Sequence, residues 1–362
     1  MQRRIAATSA FIAGVKSLGM DRNPAPRLAD VARAAGVSLA TASRAISEPA
    51  MVRDDTRERV LEAAAMLRYV PHGAARALAT RRTRTIGAVF PPVDNPIFAS
   101  ATHALAQELS AAGYTLLLAS HDYDLEAELA ATQALVERGA DGMVLVGLDR
   151  LPETYSVLAR AGVPYEVTWS LDTAGHHHCV GLSHRGASIR LTQHLIDLGH
   201  RDFAVIAGDT HANDRARERL SGVRDALAAR GLKLPAKRVV EATFSLANGR
   251  AALATLLERA PGFTAVLGGN DPLAIGALLE CRARGIDVPG EMSIAGFDDI
   301  ELAAELAPGL TTVRVPSAEI GRTAAQRLLA RLAGKRVPLV KEMAAPLVVR
   351  GTTAHPARAL SG

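Results

Sequence analysis

The sequence predicts a mixed α/β protein: a small all-helical N-terminal headpiece followed by two doubly wound parallel-sheet subdomains. Three observations carry this. From Thr85 onward, short uninterrupted apolar runs alternate with amphipathic segments, the pattern of parallel strands covered on both faces. The alternation comes in two successive series, which implies two sheets with a cleft between them. Before Thr85 there is no strand pattern, and the positive charge is concentrated there. Residues 1–84 hold 15 Lys and Arg against 7 Asp and Glu, a net +8, whereas the remainder holds 27 against 30, a net −3. A basic head on a mildly acidic body suggests that the head meets a polyanion.

With 362 residues, the chain is long enough for two or three domains and a large core. No apolar run approaches the roughly 18 residues that a membrane helix needs, so no membrane partner is expected. The two cysteines, Cys179 and Cys281, stand far apart in unrelated contexts. They point to a reducing, cytoplasmic setting without a disulfide framework. Residues 1–26 begin with two arginines and a weakly apolar stretch directly before a basic domain. They read as a tail without a fold of its own, with Met20 as an alternative start.

Residues 27–70 form the headpiece. In "RLADVARAA", Leu28, Val31, Ala32 and Ala35 fall at helical spacing. Gly36 permits the left-handed conformation that ends a helix, and Ser38 is a natural N-cap for a second one. That second helix, "LATASRAIS", is expected to bury Ala42 and Ile46 and to expose Leu39, Ala40, Ser43 and Arg44. Small residues at Ala32, Ala35 and Ala42 let the two helices cross closely. The pair is a helix-turn-helix whose second helix fits a DNA major groove. A third helix, Thr56 to Leu67, places Val60, Leu61, Ala64 and Leu67 on one face. Pro71 then breaks the pattern, and residues 71–84 are short, basic and marginal as a free helix.

"LADVARAAGVSLATASRAI", "VRDDTRERVLEAAAMLRYVPHGAARALAT" and "TIG" together resemble the lactose-repressor (LacI/GalR) family of bacterial transcription regulators, and most nearly its gluconate-type members. The resemblance implies double-stranded operator DNA as a partner. It puts Leu39 and Ala40 at positions that read base edges. Both are apolar here, suited to a thymine methyl and unable to make a bidentate hydrogen bond. Ser38, Thr41, Ser43 and Arg44 would contact phosphates or bases. "AARALA" resembles the family's hinge helix, with Arg76 near phosphate and Leu78 as a wedge into the minor groove.

The body follows in order. "TIGAVFP", "YTLLLAS" and "GMVLVG" read as strands, separated by the helices "IFASATHALAQELSAAG" and "LEAELAATQALVERG". The second series runs "ASIRLTQHLIDLGH", "DFAVIAG", "ARERLSGVRDALAARG", "FTAVLGG", "PLAIGALLECRARG" and "MSIAGFD". Ligands bind at the carboxyl ends of strands in such sheets. The resemblance extends to about Thr353 and implies the fold of periplasmic sugar-binding proteins. It divides the body into residues 85–183 with 313–343 and residues 184–312 with 344–355. It also implies a homodimer and a sugar or sugar-acid effector in the cleft. Arg219 matches the effector-binding arginine, whose planar fork grips a carboxylate or vicinal hydroxyls. Asn270 and Asp298 match two further contacts, Asn95, Ile97 and Phe98 a wall, and Phe244 a stacking aromatic. The chain departs from the family at Ser183-His184, commonly Asp-Asn, at Trp169, commonly Asp, and at Val315, often Gln.

An enzyme would have to use Asp298-Asp299, the histidines at 176–178, or "GGND". Adjacent strand-end aspartates point apart, and three consecutive histidines cannot share one face. No P-loop, HExxH or GxGxxG–acid unit occurs. No catalytic residue, metal site or cofactor is therefore expected. A sugar-binding protein or carbohydrate enzyme without a DNA-binding role is the alternative; the body fits the former, and residues 27–84 do not.

Overall fold

The computed structural model describes residues 26–70, 82–92 and 95–356. Most of the N-terminal tail and most of the hinge segment, including Arg76 and Leu78, lie outside the described residues. Contacts divide the chain into two units, one ending at Thr83 and one beginning at Arg84.

In the first unit, α1 (Leu28–Ala34) and α2 (Leu39–Ser47) flank Gly36, whose φ of +67° is the left-handed turn predicted for it. Space around Gly36 is open, so the requirement there is conformational. Ser38 caps α2, its Oγ accepting the Thr41 N–H at 3.1 Å. The third helix, α3 (Asp54–Met66), starts two residues before the predicted Thr56, because Asp54 and Asp55 suit the positive end of a helix. Val31, Ala32, Ala35, Ala42, Ala45, Val60 and Ala63 form the core. Two expectations are corrected. Ala45 is the buried residue where Ile46 was expected to be, and Ile46 only packs against the core's rim. Leu61 is 50 % exposed, because the inward face of α3 runs through Val60, Ala63, Ala64 and Leu67, about 100° from it.

The second unit alternates as the sequence predicts. Its first half runs β1 (Thr85–Phe90), α4 (Pro96–Ala111), β2 (Thr115–Ser120), α5 (Leu125–Glu137), β3 (Gly142–Val146), α6 (Pro152–Ala161), β4 (Tyr165–Trp169) and β5 (Cys179–Gly181). Its second half runs α7 (His184–Asp197), β6 (Phe203–Gly208), α8 (Asp214–Ala228), β7 (Val239–Ala242), α9 (Leu246–Arg259), β8 (Ala265–Gly268), α10 (Asp271–Arg284), β9 (Ser293–Ala295) and α11 (Glu301–Glu305). The chain closes with β10 (Thr312–Val313), α12 (Ser317–Leu332), β11 (Val340–Glu342) and β12 (Leu347–Val348).

One sheet has the order β11-β5-β4-β3-β1-β2 and the other β7-β6-β8-β9, with every pair parallel. The strands of β1, β3 and β6 are buried almost throughout, as their continuous apolar runs require. The late segments cross back: α12 packs on α4, β11 joins the first sheet beside β5, and β12 pairs antiparallel with β10. Cys179 and Cys281 are both free and buried. No helix among the described residues is long and apolar enough to cross a membrane.

Candidate functional site

A cavity lies where the carboxyl ends of the two sheets face each other. Its walls include Asn95, Ile97, Phe98, Arg219, Phe244, Asn270 and Asp298, the seven residues singled out from the sequence, together with Tyr123, Trp169, Asn213, Arg215 and Ala216. A larger chamber of about 320 Å³ adjoins it and shares Asn95, Phe98, Tyr123 and Phe244. Apart from Arg219, which sits in the second turn of α8, the polar residues stand at helix starts or in the segments that follow strands, where a doubly wound fold leaves backbone to carry a site. A Cβ at Gly208 would collide with the Phe244 ring, so glycine there admits the aromatic wall.

Arg219 is held on four sides. Its Nε donates to His184 Nδ1 at 3.1 Å, one Nη donates to the Gly269 carbonyl at 2.5 Å, and the other lies 3.5 Å from Asp298 Oδ1. Its guanidinium lies over the Phe297 ring, 4.0 Å from the centroid. His184 lies 3.0 Å from the Trp169 carbonyl through Nε2. Those partners fix the neutral tautomer with the proton on Nε2. Burial, reinforced by Arg219 and Arg215, holds its pKa well below the ordinary value. His184 thus links the end of β4 to α8 at the first crossing between the sheets. Asp298 is pushed up to about 7 by burial, against the pull of Arg219.

Asp214 bridges the two halves. Its Oδ2 accepts from the Leu148 N–H at 3.1 Å and from Ser170 Oγ at 2.5 Å, and its Oδ1 pairs with Arg215 at 2.8 Å. Arg217 and Asp149 make a second bridge, more exposed, at 2.5 Å. Positive φ values at Asp122 (43°), Tyr123 (63°), Trp169 (66°), Ala212 (50°) and Asp298 (128°) adjoin or line these cavities. For a residue as bulky as Trp169 this conformation is strained, and such strain concentrates at ligand clamps.

His121, at the end of β2, is lowered to about 4, first by burial and then by Arg215 and Arg150. The unfolded chain takes up this proton near the ordinary 6.5, the folded chain only near 4. The stability contributed is full above pH 6.5 and is lost as pH falls through that window. Urea denaturation at pH 7 and pH 5 should show a smaller loss for His121→Phe than for the native chain. Equal losses would mean that His121 does not titrate in this way.

The rival features fall elsewhere. Asp299 turns from the cavity to Arg314 (2.6 Å) and Arg350 (2.7 Å), so the two adjacent aspartates do point apart. His177 stacks on Tyr155 with centroids 4.2 Å apart, and Asp172 accepts the backbone N–H groups of His176 and His177. Among the described residues, no group of three or more His, Cys, Asp or Glu side chains could hold a metal ion.

In the headpiece unit, Leu39 is 55 % exposed, Ala40 and Arg44 are exposed, and Thr41 and Ser43 half-buried along α2. The headpiece core below is formed without Leu39.

Five cavity residues are not singled out by the sequence: Tyr123, Trp169, Asn213, Arg215 and Ala216. Arg215 lies one turn before Arg219 on the same helix face, and Asn213 precedes α8 as Asn270 precedes α10; both signals were available. Trp169 and His184 were visible only as departures, and nothing in the spacing marks Tyr123.

Residues 27–72 match the family described as bacterial regulatory proteins, lacI family, and residues 192–353 match the periplasmic binding protein-like domain. A HTH-type transcriptional regulator in the aml 5′ region of Streptomyces limosus is 37 % identical, covering 92 % of this chain and 97 % of its own. The HTH-type transcriptional regulator GntR of Pseudomonas aeruginosa is 33 % identical over 86 % of this chain and 91 % of its own. Among solved structures, the lac repressor dimer bound to operator and an anti-inducer superposes with a TM-score of 0.81 at 27 % identity, over 91 % of this chain and 99 % of that one.

Proposed function

The chain belongs to the lacI family of bacterial regulatory proteins and is a DNA-binding transcriptional regulator, not an enzyme; from this premise we propose that it is a cytoplasmic homodimeric repressor whose operator affinity is changed by a sugar or sugar acid in the cleft. The observation that carries the effector reading is that all seven cleft residues singled out from the sequence line one cavity between the two sheets. In this reading Leu39 and Ala40 meet base edges, Ser38, Thr41, Ser43 and Arg44 meet phosphates or bases, and Arg76 and Leu78 act in the hinge.

Effector and operator are coupled only if the ligand binds one arrangement of the two halves better than the other. Asp214 and the Arg217–Asp149 pair are the contacts such a rearrangement would have to remake. The direct test is a gel shift on DNA upstream of the protein's own gene, repeated with sugars and sugar acids. A shift that a ligand changes is expected; no shift at low salt would sink the reading.

Two further outcomes follow. Two heads on a two-fold axis read a pseudo-palindrome, so sedimentation at micromolar concentration should give a dimer. Monomer alone, with and without DNA, would count decisively against this. Leu78→Ala should weaken operator binding far more than non-specific binding. The wedge unstacks one central base step, whereas non-specific binding rests on salt-sensitive phosphate contacts. Titration of both DNAs at one fixed salt concentration checks this; equal losses would show that Leu78 is no wedge.

A further inference from the structure

The wall of the cavity between the sheets carries many hydrogen-bond donors and a single carboxyl group. Three helices start at its wall, and each is capped by an asparagine. Asn95 Oδ1 accepts the Ile97 N–H at 3.3 Å, Asn213 Oδ1 the Ala216 N–H at 3.3 Å, and Asn270 Oδ1 the Leu273 N–H at 3.0 Å. One lone pair of each oxygen is taken up by the cap, and each side chain also has its NH₂ group to offer a ligand. The helix starts add partial positive charge.

Two donors stand out. Asn270 is 1 % exposed and its Nδ2 has no partner; Trp169 is 1 % exposed and its Nε1 has none either. Both residues line the cavity, where Arg215 and Arg219 add two guanidinium groups. A buried donor left unpaired is destabilising, so a site built this way calls for acceptors. The wall itself offers one carboxyl, Asp298, which already lies 3.5 Å from Arg219.

We infer that the ligand of this cavity is an acid, a polyhydroxylated carboxylate, and that Asn270 Nδ2 and Trp169 Nε1 are among the donors that receive it. The inference rests on the reading of this cavity as the effector site and narrows that reading to one ligand class. A carboxylate brings about four acceptor positions, no donor and a negative charge. A neutral hydroxyl also accepts, but its own proton then needs an acceptor, and the side chains of the wall supply few beyond Asp298 and the Tyr123 hydroxyl. Phe98 and Phe244 supply apolar faces for the carbon chain.

The test is calorimetric titration of the full chain with D-gluconate, D-glucuronate and D-galacturonate, beside D-glucose and D-galactose. Trp169 is the chain's single tryptophan, so its fluorescence reports whether this cavity is the one filled. At least one acid should bind ten-fold or more tighter than its neutral counterpart and change the tryptophan emission. Asn270→Asp keeps the capping oxygen and replaces the donor by an acidic acceptor; it should weaken that acid at least ten-fold while operator binding persists. Trp169→Phe keeps a ring, removes the N–H, and should weaken the acid independently. A neutral sugar that binds as well as its acid and releases operator overturns this inference and leaves the sugar-effector reading standing. An acid that binds equally well to both variants overturns the donor assignment. Silence to every probe, acid and neutral alike, overturns both readings.

Discussion

Replacing Arg219 with alanine should abolish the effector response at concentrations that saturate the native chain, with operator binding near normal. The arginine is fixed before any ligand arrives. His184 holds its Nε, the Gly269 carbonyl holds one Nη, and Phe297 supports its face. The remaining Nη has only the long 3.5 Å contact to Asp298 and is the arm left for a ligand. Losing a charged hydrogen bond costs about 1.5–3 kcal/mol, which is roughly a ten- to 150-fold loss of effector affinity. The headpiece is a separate unit with its own core, so its DNA contacts need not change. Gel shifts across an effector titration check both halves of the expectation. A mutant that responds at the native effector concentration would remove Arg219 from the site, and one that fails to bind operator would point to a folding defect instead.

Much of this molecule is legible in its sequence because the signals are local. Gly36 and Ser38 announce a turn and a cap, and both act so in the structure. The continuous apolar runs announce buried parallel strands, which is what β1, β3 and β6 are. Asn270 was visible as a cap and as a cleft residue, and it is both. What stayed hidden depends on pairs of residues far apart in the chain. No spacing rule joins Asp214 to Leu148 and Ser170, or His184 to Trp169 and Arg219, because those contacts exist only once two sheets face each other. Leu61 was misplaced for a different reason. Two adjacent apolar residues cannot both face inward on a narrow stripe, and the sequence alone does not say which one wins.

The largest effect on stability is expected at a position far from any ligand. Arg327, on α12, donates through Nε to Glu166 on β4 at 2.5 Å, and through Nη2 to the carbonyls of Pro338 at 2.8 Å and Leu339 at 3.1 Å. Glu166 is fully buried, and its second oxygen lies 3.7 Å from Arg331. One guanidinium therefore ties the returning helix to the middle of the first sheet and to the run that becomes β11 at its edge. Arg327→Met removes the hydrogen-bonded partner and leaves the buried carboxylate with only the longer Arg331 contact, and breaking a buried pair typically costs about 3–5 kcal/mol. In a unit of this size that lowers Tm by on the order of 10 °C. The pH dependence separates this from simple loss of packing. Burial already raises the Glu166 pKa, with Arg327 opposing the rise, and removing Arg327 raises it further. A carboxyl with a raised folded pKa binds its proton more tightly folded than unfolded. The variant should therefore lose stability as pH rises above the ordinary carboxyl value through the folded one, and be least harmed in mild acid. Adding Glu166→Leu removes the stranded charge and should restore most of the loss, since a buried pair exchanged for apolar side chains is often close to neutral. Denaturant titrations of the single and double variants at pH 5 and pH 8 decide it. A single variant with the same deficit at both pH values, unrescued by the second change, would show that Arg327 works through its carbonyl contacts to the sheet edge and not through Glu166.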